Sequence, residues 1–582
     1  MTAPNRSTLF ARAVVDELAK AGVEAVCIAP GSRSTPLTVA LDAHEKIRVF
    51  SHLDERAAAF FALGRAKRTG RPTPVVTTSG TATANLYPAV MEAAQARVPL
   101  LLLTADRPAE LRDSGANQTV DQEKLYGDAV RFYKTLPEPN AEPRRLRSVR
   151  TTVHRALAET RGANPGPVHL NCPFPKPLEP TEAEPPHAVP DDFADRHPLA
   201  ANGRDGPFVT IGNGETHPSE DALDRLASLV SDAERGLVVA GPTDHPTHAP
   251  EIGRLADTLG YPVLADPLSG LRFGEHTRRV PTLGGYDGYL DERVTADWPS
   301  PDLVLRFGAS PTSKPLRNYL ARTDARHVLV DPAGGWREAS FTASDLVVSD
   351  PAPLARELRE RVDSPGADWP ELRTAEDAHW NVVADADRLE GAIAREVVAS
   401  APDPSTVFVS NSMPVRDIDR FARPRDADVS VLANRGASGI DGITSTALGA
   451  GSATDDPLVL LTGDLAYYHD SNGLLALARC GVDATVVLVN NDGGGIFHML
   501  PIEEFDPPFQ GQFKTPHGLD FEPTSDLYGF DYARTDYDGF PERYRASLKS
   551  EGTQVVEVVT DAEASHRRRE ELRESVVDEL VE

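Results

Sequence analysis

The 582-residue chain carries 60 basic and 88 acidic side chains, a formal net charge of −28, with ordinary globular shares of hydrophobic (40%) and charged (25%) residues. So acidic a surface repels phosphate backbones and anionic lipids, which argues against nucleic-acid or membrane-surface binding and leaves small-molecule chemistry. The length fits three or four domains, and the composition excludes wholesale disorder.

Phe10, Val14 and Leu18 recur at i, i+4 and i+8 behind Ser7, a candidate N-cap, and predict a helix over residues 7–21. Ala25–Ala29 then reads as a buried strand. Short β-rich runs at Ile47–Ser51, Val75–Thr78 and Pro99–Thr104, each followed by a helical segment, predict a parallel sheet in a first domain, residues 1–175. Seven prolines between 173 and 190, mixed with acids, predict an extended linker over residues 176–205. Strands at Gly236–Gly241, Leu303–Phe307 and His327–Val330 build a central α/β domain, residues 206–360. The run Asp363-Ser364-Pro365-Gly366-Ala367-Asp368 marks a break before a third domain, residues 375–582. That domain opens much as the first does, with a helix around Leu389–Ala399, a strand at Thr406–Ser410, then Asn411-Ser412. The expected fold class is α/β: three domains of parallel, doubly wound sheets with helices on both faces. Near the end, Arg567-Arg568-Arg569 runs into acids and reads as a solvated helix face.

Nine lysines stand against 51 arginines, a balance that suits a high-salt cytosol, where a Debye length of about 3 Å at 1 M screens the acidic surface. Cys27, Cys172 and Cys480 are too few and too scattered for a disulfide framework or a metal site, and are expected in the core. No run approaches 18 apolar residues and the N-terminus has no signal-peptide pattern, so a cytoplasmic protein with no membrane insertion is expected.

The sharpest chemical signal is Gly463-Asp464-Leu465 after the strand Leu458–Leu461, followed by a helical stretch, the strand Thr485–Val489 and Asn490-Asn491-Asp492-Gly493. Such a crossover brings Asp464 and Asn491 to the carboxyl ends of parallel strands, where open α/β sheets bind ligands. A carboxylate, an amide oxygen and a backbone carbonyl are hard donors that suit Mg2+, which completes its octahedron with phosphate oxygens and water. A diphosphate cofactor is implied. Here the sequence resembles the thiamine diphosphate enzymes, and the resemblance implies Asp464, Asn491 and the carbonyl of Gly493 as ligands to Mg2+, or to Mn2+ in its place, with Gly463 beside the cofactor. Ser79-Gly80-Thr81-Ala82-Thr83-Ala84-Asn85 is similar to the turn-to-helix segment of that superfamily's pyrimidine-binding domain. The chain has no GxxxxGK[ST] loop and no GxGxxG after a strand.

Thiamine chemistry needs a carboxyl group against N1′ of the aminopyrimidine, and Glu55 is the candidate, between the strand Ile47–Ser51 and a helix containing Ala57–Phe61. A helix N-terminus stabilises a carboxylate in its first turn.

The resemblance then narrows to the 2-succinyl-5-enolpyruvyl-6-hydroxy-3-cyclohexene-1-carboxylate synthases of menaquinone biosynthesis. It rests on Gly31-Ser32-Arg33-Ser34-Thr35-Pro36-Leu37, Thr104-Ala105-Asp106-Arg107-Pro108 and Gly115-Ala116-Asn117-Gln118. It continues in Asn411-Ser412-Met413-Pro414-Val415-Arg416, Asn434-Arg435-Gly436-Ala437-Ser438-Gly439-Ile440-Asp441-Gly442 and Gly494-Gly495-Ile496-Phe497. That family decarboxylates 2-oxoglutarate on thiamine diphosphate and adds the succinyl unit to isochorismate in a conjugate fashion. Both substrates are dicarboxylates, which guanidinium forks match bidentately. The resemblance implies Arg33, Arg107, Arg416, Arg435 and Lys314 as substrate-binding cations, and Ser32, Asn117, Gln118 and Ser412 as uncharged substrate contacts. It also implies Ser438 at the cofactor, Ile440 as the apolar wedge beneath thiamine, and Ile496, Phe497 and Leu500 as pocket wall; periodicity alone places these four apolar residues in a core. Two positions depart from the family pattern: Pro315, where some members carry a second basic residue, and Ser471, where an apolar residue is common.

In this fold the pyrimidine domain of one subunit faces the diphosphate domain of another, so a homodimer at least, or a tetramer, is implied, with Glu55 and Asp464 of one site drawn from different chains. The competing expectations are another thiamine diphosphate 2-oxoacid decarboxylase or carboligase, and a non-catalytic, cofactor-binding assembly protein.

Overall fold

Ala25-Val26-Cys27-Ile28-Ala29 is buried at every position, as a strand covered on both faces must be. The computed structural model describes residues 3–243, 246–362, 366 and 368–582. Residues 363–365 and 367 of the expected break at 363–368 therefore lie outside the described residues.

Three parallel six-stranded sheets carry the fold. The first contains β1 (Ala25–Ala29), β2 (Arg48–Ser51), β3 (Thr73–Thr77), β4 (Leu100–Asp106), β5 (Phe132–Thr135) and β6 (Pro167–Pro173), in the order β2-β1-β3-β4-β6-β5. The second contains β7 (Gly236–Ala240), β8 (Val263–Ala265), β9 (Thr282–Leu283), β10 (Leu303–Phe307), β11 (Arg326–Val330) and β12 (Asp345–Val347), in the order β12-β11-β10-β7-β8-β9. The third contains β13 (Ser405–Val409), β14 (Val429–Leu432), β15 (Leu458–Gly463), β16 (Thr485–Asn490), β17 (Asp531–Thr535) and β18 (Gln554–Val559), in the order β14-β13-β15-β16-β18-β17. The first and third sheets thus share one strand order, which deepens the echo seen in the sequence. Each reverses direction at its second strand pair, between β1 and β3 and between β13 and β15, and ligands bind outside the carboxyl ends at such switch points.

The chain forms two compact units, one of residues 1–214, 434–455 and 469–482, the other of residues 215–433, 456–468 and 483–582. The first unit holds the first sheet, with Phe10, Val14 and Leu18 packed in one core with Val26, Ile28, Leu101 and Leu170. There too the helix Ile443–Gly451 lies against the helix Glu55–Thr69 so closely that a Cβ on Gly64 would stand 1.9 Å from the Thr446 carbonyl oxygen. The second unit holds the other two sheets, and the helix Pro370–Ala384, which spans position 375, contributes Leu372 and Ala375 to the core of the second sheet.

Three expectations are corrected. The cap of the first helix, Arg6–Lys20, is Asn5, whose side chain accepts from Thr8 N at 2.9 Å; Ser7 lies inside the helix and donates to the Pro175 carbonyl. The segment 176–205 is not wholly extended, because Phe193–Arg196 and Pro198–Ala201 form short helices that bury Phe193 and Ala200. Arg569 does not belong to a solvated face: it is 3% exposed and pairs with Asp417 and, at 3.3 Å, with Asp287. Arg567 and Arg568 do face solvent. All three cysteines are buried and free. No helix among the described residues is long and apolar enough to cross a membrane.

Candidate active site

In the second unit, β15 ends at Gly463 and Asp464 opens the next helix, while β16 ends at Asn490 and is followed by Asn491. The two strands are parallel neighbours, so their carboxyl ends lie side by side. Gly493 N donates to Asp464 Oδ2 at 2.9 Å and ties the two loops together. Gly493 has φ of +129°, and a Cβ there would stand 2.0 Å from the Lys514 carbonyl oxygen, so only glycine fits.

Asn491 donates through Nδ2 to Glu390 Oε1 at 2.8 Å, and its Oδ1 is buried with no hydrogen-bond partner among the described residues. A buried orphan acceptor beside a carboxylate needs a cation or a donor. The Gly493 carbonyl accepts from Gly495 N at 3.0 Å and keeps its second lone pair. These three oxygens fit a hard divalent cation.

Three residues that the sequence reading missed complete this cluster. Glu390, 5% exposed, accepts from both Asn491 and Thr560; burial pushes its carboxyl up, against those two bonds. Lys514, at the end of a wide helical turn over Phe509–Lys514, donates to the carbonyls of Asn491 (2.6 Å) and Asp492 (2.9 Å); burial lowers its ammonium while Asp464 and Asp492 hold it up. His517 Nε2 lies 3.3 Å from Asp464 Oδ2. With so few lysines in the chain, the one in this loop was a signal; Glu390 gave none beyond its place at a helix start.

Elsewhere in the second unit, Ser412 follows β13 with φ of +71° and leads the helix Met413–Phe421, within which Arg416 Nη1 donates to the Ser412 carbonyl at 2.6 Å. Lys314 is exposed and opens the helix Lys314–Arg322, capped by Ser313. Ile496 and Phe497 are half-buried, with Phe497 edge-on to Phe513 at 5.4 Å, and Leu500 is 45% exposed; the core placement from periodicity does not hold for them.

The first unit gathers a second set at the carboxyl ends of β1, β3 and β4. Arg33 N donates to Thr78 Oγ1 at 3.2 Å, Ser79 Oγ to the Gln118 carbonyl at 3.1 Å, and Arg107 Nη2 to the Asn117 carbonyl at 2.7 Å. Ser32, Asn117 and Gln118 are exposed, whereas Arg33 is buried and spends one nitrogen on the Phe174 carbonyl at 2.6 Å. Glu55 follows β2 as the first residue of its helix, half-buried, with Asp54 as cap accepting from Arg56 N and Ala57 N. Arg435, Ser438 and Ile440 share one loop; Arg435 and Ile440 are half-buried, Ser438 exposed. Gln118, Ser412 and Ser438 all have positive φ (55°, 71° and 62°), the kind of backbone strain that collects at ligand sites.

Family models match along the chain: the thiamine pyrophosphate enzyme N-terminal TPP binding domain over residues 9–125, the middle domain over 211–409 and the C-terminal TPP binding domain over 420–558. A 2-succinyl-5-enolpyruvyl-6-hydroxy-3-cyclohexene-1-carboxylate synthase of Halobacterium salinarum is 65% identical, covering 99% of both chains. Proteins of the same name from Haloarcula marismortui (61%, all of both chains) and Roseiflexus sp. (44%, 98% of both) are also similar. Among solved structures, benzoylformate decarboxylase from Polynucleobacter necessarius superposes with a TM-score of 0.72 at 17% identity, over 97% of this chain and 99% of that one, a likeness of fold. With thiamine pyrophosphate-binding domain models matching its N- and C-terminal parts and 44–65% identity to these synthases over nearly all of both chains, the chain belongs to the 2-succinyl-5-enolpyruvyl-6-hydroxy-3-cyclohexene-1-carboxylate synthase family of thiamine diphosphate enzymes.

Proposed function

We propose that this protein decarboxylates 2-oxoglutarate and joins the succinyl unit to isochorismate, giving 2-succinyl-5-enolpyruvyl-6-hydroxy-3-cyclohexene-1-carboxylate for menaquinone biosynthesis. The observation that carries this reading is full-length likeness to proteins named for that product; Glu55, Asp464, Asn491 and Gly493 stand in their motifs beside it. The substrates are small dicarboxylates; neither nucleic acid nor membrane has a part. A cytoplasmic place fits the acidic, cysteine-poor composition.

Asp464, the Oδ1 of Asn491 and the Gly493 carbonyl would hold Mg2+, or Mn2+, for the cofactor's diphosphate, with Gly463 nearby. Glu390 fixes which way the Asn491 amide faces, as partners of metal ligands do. Bound thiamine diphosphate supplies the carbon nucleophile and electron sink that decarboxylation of a 2-oxoacid requires. Glu55 holds a proton at N1′ of the aminopyrimidine. Ile440 and Ser438 would support the bound cofactor, and Ile496, Phe497 and Leu500 would wall the pocket and exclude water. Arg33, Arg107, Arg416, Arg435 and Lys314 bind the carboxylates of the two substrates, and Ser32, Asn117, Gln118 and Ser412 orient them. The assembly is a homodimer at least, with Glu55 and Asp464 of one site from different chains.

The test is substrate choice by the purified protein with Mg2+ and thiamine diphosphate. Preference for 2-oxoglutarate over pyruvate and benzoylformate is expected. Preference for a monocarboxylate overturns the reading in favour of another 2-oxoacid decarboxylase.

A further inference from the structure

Glu92 lies on the helix Tyr87–Gln95 of the first unit and is 3% exposed. No motif singled it out, yet its carboxylate accepts three consecutive backbone N–H groups from the loop after β14. Gly436 N reaches Oε1 at 2.9 Å, and Ala437 N and Ser438 N reach Oε2 at 2.7 and 3.3 Å. Lys67 Nζ approaches the same carboxylate at 3.5 Å. Successive N–H groups converging on one point form an anion-binding nest, and here the anion is a side chain of another element. Such bonds to an ionised acceptor are roughly twice as strong as neutral ones.

The loop is held elsewhere too. A Cβ on Gly436 would stand 2.5 Å from the Glu92 carbonyl oxygen, so the loop backbone lies directly on that helix. At its far end, a Cβ on Gly442 would stand 2.0 Å from the Phe60 ring, on the helix that Glu55 opens. Between these points the loop carries Ser438 and Ile440, and Arg435 stands just before them. Its exposed Ser438, with φ of +62°, has nothing in its own geometry to favour that conformation, and the Glu92 carboxylate supplies what does.

We propose that Glu92 is a positioning residue for thiamine diphosphate binding: by gathering the N–H groups of Gly436, Ala437 and Ser438 it presents Ser438 and Ile440 to the cofactor in one fixed backbone conformation. The proposal rests on the reading of this loop given under Proposed function. Glu92 is 3% exposed and acts through the loop.

Glu92→Gln keeps size and shape but turns one acceptor oxygen into a donor that faces N–H groups. Two readouts on the full chain with Mg2+ separate positioning from mere stability. The first is amide hydrogen exchange in peptides covering 434–442 and 443–451 without cofactor; the second is thiamine diphosphate affinity by intrinsic fluorescence. The variant is expected to exchange at least about tenfold faster at 436–438, with the helix 443–451 unchanged, and to bind cofactor at least about tenfold more weakly, with most of the turnover rate regained at saturating cofactor. Gly436→Ala, which leaves the carboxylate in place but pushes the loop off its helix, is expected to weaken cofactor binding likewise, and serves if Glu92→Gln does not fold. Unchanged exchange and affinity in a folded variant, or exchange that rises alike in every peptide, overturns the proposal. Wild-type protein that binds no thiamine diphosphate overturns the reading of the site instead, an outcome visible without any variant.

Discussion

The amide nitrogen of Asn491 lies 2.8 Å from Oε1 of Glu390, and that bond turns the amide oxygen away from Glu390 into a buried place where it has no hydrogen-bond partner among the described residues. The metal site is thus set by a residue that is not itself a ligand. Glu390→Ala frees the amide to rotate and removes a buried carboxylate, and is expected to weaken Mn2+ binding about 10- to 100-fold. Titration of Mn2+ by electron paramagnetic resonance, with thiamine diphosphate present, measures this. Unchanged affinity would show that the amide needs no orienting partner.

Glu55 opens its helix with Asp54 rather than itself as the cap, so its carboxyl is free for another task. Glu55→Gln is expected to lower turnover by at least about 100-fold and slow proton exchange at C2 of bound thiamine diphosphate, with cofactor affinity nearly unchanged. Randomly mixed Glu55→Gln and Asp464→Asn subunits are expected to regain about a quarter of wild-type activity, because one site in each mixed dimer is whole. No recovery would place both residues of a site on the same chain.

The buried carboxylate of Asp287 accepts from Ser313 Oγ (2.7 Å), Arg420 Nε (2.7 Å) and Arg569 Nη2 (3.3 Å), and these two arginines hold it well below the usual carboxylate range against the opposing effect of burial. Asp287→Ala leaves two buried guanidinium groups short of a partner and is expected to cost about 3–5 kcal/mol in urea unfolding. Arg568→Ala, at an exposed pair with Glu571, is expected to cost no more than about 0.5 kcal/mol. Equal effects would contradict the weight given to burial.

Burial lowers His379 to about 4; the Arg420 carbonyl, 2.9 Å from its Nε2, and the charge of Asp287 favour its protonation, while Arg420 and Arg272 oppose it. An unfolded histidine takes up a proton near pH 6.5 that the folded one refuses until about pH 4. Stability therefore falls as pH drops through that window, by up to about 1.4 kcal/mol per pH unit for this group. His379→Gln keeps a donor for the carbonyl and cannot titrate, so its unfolding free energy is expected to fall less steeply with acid. An unchanged slope would show that His379 is not among the groups responsible.

Much of this was legible in the sequence. Fully buried parallel strands are largely apolar runs, so β1, β15 and β16 stood out, and Gly463-Asp464 with Asn490-Asn491 marked where the last two end. Local signals failed where a distant partner decides. Asn5 outcompetes Ser7 as cap because its Nδ2 also donates to the carbonyls of Glu179 and Thr181, and Arg569 turns inward to meet carboxylates far away in sequence. Glu390 and Glu92 belong to the same class: ordinary helical glutamates until the fold brings backbone or amide donors to them.

The central claim is tested most directly by incubating the purified protein in molar KCl with Mg2+, thiamine diphosphate, 2-oxoglutarate and isochorismate, and identifying the product by mass. Formation of the succinylated cyclohexene carboxylate with release of CO2 is the predicted result. Decarboxylation that leaves isochorismate untouched, or cofactor binding with no turnover, would contradict it.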